Sequence, residues 1–140
     1  MKQRLFLDTN VMLDILAERV PHFEDAEKIA SIADKNKIKL FVSAVSFSTC
    51  AYLLGKIHTA ELVKEKLRKF KILADISNLD NDVIEKGLNS KIKDFEDALQ
   101  YYSALNSNCD IIISRNVKDF KEADIPVMTP NEFLLSLKIK

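Results

Sequence analysis

Short aliphatic runs alternate with helical periodicity from one end of this chain to the other. No other feature limits the fold as strongly. RLFLD (4–8) reads as a short buried strand ending on an acid. Val11, Met12, Ile15 and Leu16 then recur at helical spacing until Pro21. A helix follows over 23–35, with Phe23, Ala26, Ile29, Ala30 and Ala33 on one face. KLFVS (39–43) is a second strand. Residues 44–56 read as a mostly buried helix closed by Gly55, and 58–70 as an amphipathic one with Leu62, Val63, Leu67 and Phe70 inward. KILADIS (71–77) reads as a strand and NDVIEKGLNS (81–90) as a short helix. DFEDALQYYSALNSN (94–108) is a stronger helix with Phe95, Ala98, Leu99, Tyr102 and Leu105 as its core stripe. DIIIS (110–114) is aliphatic enough for the centre of a sheet. VKDFKEA makes a helical turn, IPVMT a short edge strand, and PNEFLLSLK a closing helix. Strand–helix alternation of this kind predicts an α/β fold: a three-layer α/β/α sandwich around a mostly parallel sheet.

The 140 residues fit one domain, 1–140, with a sizeable core. Only two glycines and three prolines leave little room for a linker. The 21 basic and 21 acidic residues cancel, so a nucleic-acid partner would need a local basic patch. MKQRLFLDTN lacks the long apolar run of a signal peptide, and no stretch is long enough to span a membrane. Cys50 and Cys109 stand alone and read as buried reduced thiols of a cytoplasmic protein. His22 and His58 are isolated and read as surface residues.

In a parallel sheet with helices on both faces, sites lie beyond the carboxyl ends of the strands. Asp8, Thr9 and Asn10 follow the first strand, and Ser43 ends the second. Ser114 ends DIIIS, followed by Arg115, Asn116 and, a turn later, Asp119. The helix that feeds DIIIS runs antiparallel to it, so Asp94 and Asp97 start at the same edge as Asp8. Oxygen donors without His or Cys are the ligand set of a hard divalent cation, Mg²⁺ or Mn²⁺. Each acid also has a structural reading. Asp8 and Asp94 sit where helix N-caps are expected, with Asp97 as the acid of a variant capping box. Asp119 also reads as a surface acid. Arg19, Arg115, Lys118 and Lys121 lie near this edge and read either as contacts to a phosphate backbone or as solvated charges. The basic run KEKLRKFK (64–71) reads as a solvated helix face. The loop DTNV has no glycine, which argues against a dinucleotide phosphate site.

LFLDTNVMLDIL, DFEDALQYYSA and IIISRNVKDF together resemble the PIN-domain nucleases, over essentially the whole chain and in order. The likeness is strongest to the branch that includes the VapC-type toxins of toxin–antitoxin pairs. It implies a Mg²⁺- or Mn²⁺-dependent ribonuclease, with RNA as substrate, an antitoxin protein as partner and a homodimer as a common assembly. The helix around Phe47 to Leu54 is a candidate for that interface and reads equally as plain core. Asp8 matches the family's first acid, Asp97 the acid of the late helix, Asp94 the accessory acid one turn earlier, and Asp119 the Asp of a common DF ending. Asn10, Ser114 and Asn116 match polar motif positions. Together with Ser43 they would orient waters or phosphate, and Arg19, Arg115 and Lys118 would hold the substrate. Asp8 and Asp97 would share one ion, and Asp94 would take a second ion or a water. The chain departs from the family pattern at Thr49, where a Glu is usual, and at Asn116, where many relatives have Asp. The alternative these departures imply is a PIN-fold module that binds RNA or protein without cleaving.

Overall fold

Residues 2–138 are described in a computed structural model. Five strands form one fully parallel sheet in the order β3-β2-β1-β4-β5. They are β1 Gln3–Leu7, β2 Ile38–Ser43, β3 Ala74–Ser77, β4 Ile111–Ile113 and β5 Val127–Met128. The helices are α1 Thr9–Leu16, α2 Phe23–Asp34, α3 Ala44–Leu54, α4 Ala60–Leu73, α5 Asn81–Leu88, α6 Phe95–Asn106 and α7 Pro130–Lys138. A single 3₁₀ turn, Val117–Phe120, links β4 to β5.

The strands of the sheet's centre are aliphatic on both sides because both sides are covered. Successive side chains point to opposite faces. Leu5, Leu7, Ile38, Leu40, Val42, Ile111 and Ile113 pack with residues of α1, α2, α3, α4 and α7. Phe6, Phe41 and Ile112 face the other way, against Tyr101 and Ala104 of α6 and Phe120. The three-layer α/β sandwich expected from the alternation is the observed fold.

Three local differences have physical causes. Residues 71–73 are helical, and β3 begins only at Ala74. The run KIL carries no breaker after Phe70, so the helix simply continues, leaving Ile72 84% exposed. Leu62 and Phe95, read as core, are exposed because each lies in the first turn of its helix. The core stripe of α6 instead takes in Tyr101 and Ala104. α1 stops at Leu16, ahead of Pro21, and Glu18 turns into the left-handed region with φ 51°. Within Phe47–Leu54, the side chains of Phe47, Cys50, Ala51, Leu53 and Leu54 join the core, so this stretch offers mainly Tyr52 to a partner. Cys50 and Cys109 are buried and unpaired, and burial pushes both thiols up to about 12. Among the described residues, no helix is long and apolar enough to cross a membrane.

α5 lies directly against α6, whose first turn carries Asp97. Gly87 of α5 permits that approach. A β-carbon there would meet Leu99 Cδ2 at 3.2 Å and Phe95 Cε1 at 3.3 Å. Gly87→Leu should overpack this contact and cost about 1–3 kcal/mol in a urea titration. A stability equal to wild type would show that α5 is free to move away.

Candidate active site

Asp8 continues the sheet one residue beyond β1, since its N–H donates to Ile113 O at 2.9 Å. Its carboxylate is buried, and both oxygens accept hydrogen bonds. Oδ1 accepts from the Thr9 N–H at 2.9 Å and from Gln100 Nε2 at 3.4 Å. Oδ2 accepts from Ser114 Oγ at 2.8 Å. Asp8 is thus the N-cap of α1 and a member of the strand-edge cluster at once. Burial raises its pKa, the hydrogen bonds from Ser114, Thr9 and Gln100 pull it back, and the charge of Asp119 adds to the rise.

Asp94 caps α6, accepting from the Asp97 N–H at 3.0 Å. Asp97 sits one turn before Gln100, which itself touches Asp8. The Asp97 carboxyl is pushed up to about 7, first by burial and then by the charges of Asp94, Asp8, Asp119 and Glu96. Glu96 is raised as well, by partial burial and then by Asp8 and Asp94. Like charges disfavour the ionised form, so these shifts mark carboxylates held within one another's fields. Asp94, Asp97 and Asp119 border one cavity of about 310 Å³, whose rim includes Lys91, Lys93, Lys118 and Lys121.

Beneath Asp8 lies a buried polar network. Gln100 Nε2 donates to Thr9 Oγ1 at 2.7 Å and to Ser46 Oγ at 3.0 Å, and those two hydroxyls are 2.8 Å apart. Ser43 is fully buried. It caps α3 through the Ser46 N–H and reaches Asp8 only through Ser46 and Gln100. Gln100 Oε1 is buried without a partner. Ser114 holds Asp8 directly and accepts the Asn116 N–H at 3.0 Å. The Asn116 side chain is exposed, and Asn10 is partly buried. Arg19 and Arg115 both turn to Asp14, at 2.8 and 2.9 Å. Lys118 is exposed beside Asp119.

Asp8, Ser114, Asp97, Asp94 and Asp119 are therefore drawn to one edge, while Ser43 lies below it. Sequence reasoning missed Thr9, Asp14, Ser46, Glu96 and Gln100. The available signal was a polar residue at a core-facing helical position. Asp14 interrupts NVMLDIL, and Gln100 falls between Leu99 and Tyr101. Among the described residues, no three His, Cys, Asp or Glu side chains form a group set to hold a metal ion unaided. The donors fit a cation held by two carboxylates, with water completing the shell, as is common for Mg²⁺.

A family model described as the PIN domain matches residues 4–118. Ribonuclease VapC1 of Aquifex aeolicus (strain VF5) is 32% identical over 136 residues, covering 94% of this chain and 93% of the relative. The VapBC2 structure from Rickettsia felis, bound to a DNA fragment from its promoter, superposes with a TM-score of 0.68 at 16% identity, covering 90% of this chain and 97% of that one. A toxin–antitoxin complex from Klebsiella pneumoniae gives 0.66 at 24% identity, with the same coverage.

The charge crowding sets a pH signature. Folded Asp97 keeps its proton up to about pH 7, whereas its ordinary value is 3.8. Between those values the folded protein binds more protons than the unfolded chain, so the contribution of Asp97 to stability falls as pH rises. In EDTA, the melting temperature of Asp97→Asn should gain on wild type between about pH 5 and pH 8. A difference that does not grow with pH would refute the raised Asp97 pKa that burial and then the neighbouring charges produce.

Proposed function

Because the chain belongs to the PIN domain family, we propose that it is a Mg²⁺- or Mn²⁺-dependent ribonuclease and the toxin of a toxin–antitoxin pair. The observation that carries this reading is the gathering of acids at the carboxyl edge of the sheet, where Asp119 bears on Asp8, and Asp94, Asp8 and Asp119 all bear on Asp97. The activity is carried over from the relative named a ribonuclease, and the antitoxin partner from the neighbour described as a toxin–antitoxin complex. The whole chain, 1–140, works as one catalytic domain in the cytoplasm.

When bound, the divalent cation lowers the pKa of a water and offsets charge that builds on the phosphate oxygens. Asp8 and Asp97 present oxygens to it, and Asp94 serves a second ion or a water. Asp119 adds negative field at the rim. Ser114, donating to Oδ2, keeps the Asp8 carboxylate from rotating. Gln100 and Thr9 fix it from below. The fixed geometry removes reorganisation at the moment of attack. Asn10 and Asn116 orient water or phosphate at the edge, and Ser43 supports the network from within. Arg19, Arg115 and Lys118 hold the RNA backbone, which positions the strand without reading its sequence.

Wild type should cleave single-stranded RNA in Mn²⁺ and stop when EDTA is added. Asp8→Asn and Asp97→Asn should each lose roughly a hundredfold or more, about 2.7 kcal/mol of transition-state stabilisation. RNA that is bound but never cut by wild type would instead establish the non-cleaving module. Equal cutting by wild type and both variants would place the chemistry elsewhere.

A further inference from the structure

We propose that buried Asp14 is a positioning residue that sets Arg19 and Arg115 as a single clamp for one RNA backbone phosphate beside the carboxylate edge. The proposal rests on the ribonuclease reading above and assigns that substrate a subsite.

Asp14 is 1% exposed, in the last two turns of a helix whose other residues after Asn10 are all apolar. A carboxylate in that position demands a cation. It receives two. Arg19 Nε donates to Oδ1 at 2.8 Å. Arg115 Nε stands 2.9 Å from Oδ2 as an ion pair not aligned as a hydrogen bond, and its Nη2 reaches Oδ1 at 3.5 Å. One guanidinium would neutralise Asp14. The second leaves a net positive charge, and it holds together two cations that would otherwise repel. Both remain accessible, with side chains 37% and 26% exposed.

The cluster is wired to the site by the backbone. Arg19 Nη2 donates to the carbonyl of Asn10, two residues beyond Asp8, at 3.3 Å. Arg115 follows Ser114, the residue that holds Asp8 Oδ2. His22 Nε2 lies 3.2 Å from Arg115 Nη1 and backs the guanidinium from the far side. Arg115 also borders the open cavity of about 520 Å³ that is lined by Lys118, Asp119 and Glu132. The surplus charge is therefore fixed at the mouth and in the planar, multi-donor form that suits phosphate oxygens. Anchored on Asp14, the two forks are already oriented, so less side-chain entropy is lost when phosphate binds.

A plain structural strap between α1 and the loop after β4 makes a different prediction. Steady-state cleavage of single-stranded RNA in Mn²⁺ decides between them, with wild type, Asp14→Asn and Arg115→Lys compared and folding checked by thermal melting. Asp14→Asn makes the protein more positive, so unspecific attraction would lower KM. The clamp requires the reverse: KM about tenfold higher, with most of the loss in KM and not in kcat. Arg115→Lys keeps the charge and loses the fork, and it should raise KM in the same way. If Asp14→Asn does not fold, Arg115→Lys alone decides. Active wild type with KM unchanged or lower in the folded variants overturns the clamp and leaves the ribonuclease reading intact. Wild type that cuts no RNA overturns both.

Discussion

The pairing of β1 between β2 and β4 fixes the ground on which every functional side chain stands. Because all three run parallel, their carboxyl ends reach one edge together. The ladder does not stop at the last strand residue. Asp8 N–H still bonds to Ile113 O, and Ser114 N–H to Met128 O. Asp8 and Ser114 are thereby held side by side by backbone hydrogen bonds before their side chains meet. A one-residue slip would invert the two faces of the strand, bringing Phe6 into the layer of Leu5 and Leu7. The aliphatic code of the centre thus also sets the register of the site.

That edge carries an electrostatic cost. Asp8 is buried and Asp97 half-buried within reach of Asp94, Glu96 and Asp119. A chain selected only for stability would not hold its acids in this way. The network of Thr9, Ser46 and Gln100 offsets part of the cost at Asp8 and ties α1, α3 and α6 to one point. In the proposed function the rest is offset by a bound cation. Beside that edge the charge is inverted: two arginines surround one buried acid, so negative and positive fields lie next to each other in a chain with no net charge.

The layer architecture was readable because strands buried on both faces leave near-continuous aliphatic runs, as in IIIS and LFL. The start of β3 was not, since KIL fits either period over three residues and only the absence of a breaker decides. The acids of the edge were readable from the position each takes after a strand or at a helix start. Asp8 and Asp94 are both N-caps, and that role leaves each of them at the carboxyl edge of the sheet, where the proposed site lies. Asp14 and Gln100 escaped because a polar residue on a buried helix face has no partner visible in sequence. The partners of Gln100 come from 54 to 92 positions away and the second arginine of Asp14 from 101, through tertiary packing. Arg19 and Arg115 read as phosphate contacts or solvated charges, and their pairing with Asp14 was hidden for the same reason.

A crystal soaked in Mn²⁺ and measured for anomalous scattering addresses the central claim most directly. The account predicts a peak between the carboxylates of Asp8 and Asp97, lost in Asp97→Asn. A peak elsewhere, or none at saturating Mn²⁺, would contradict it.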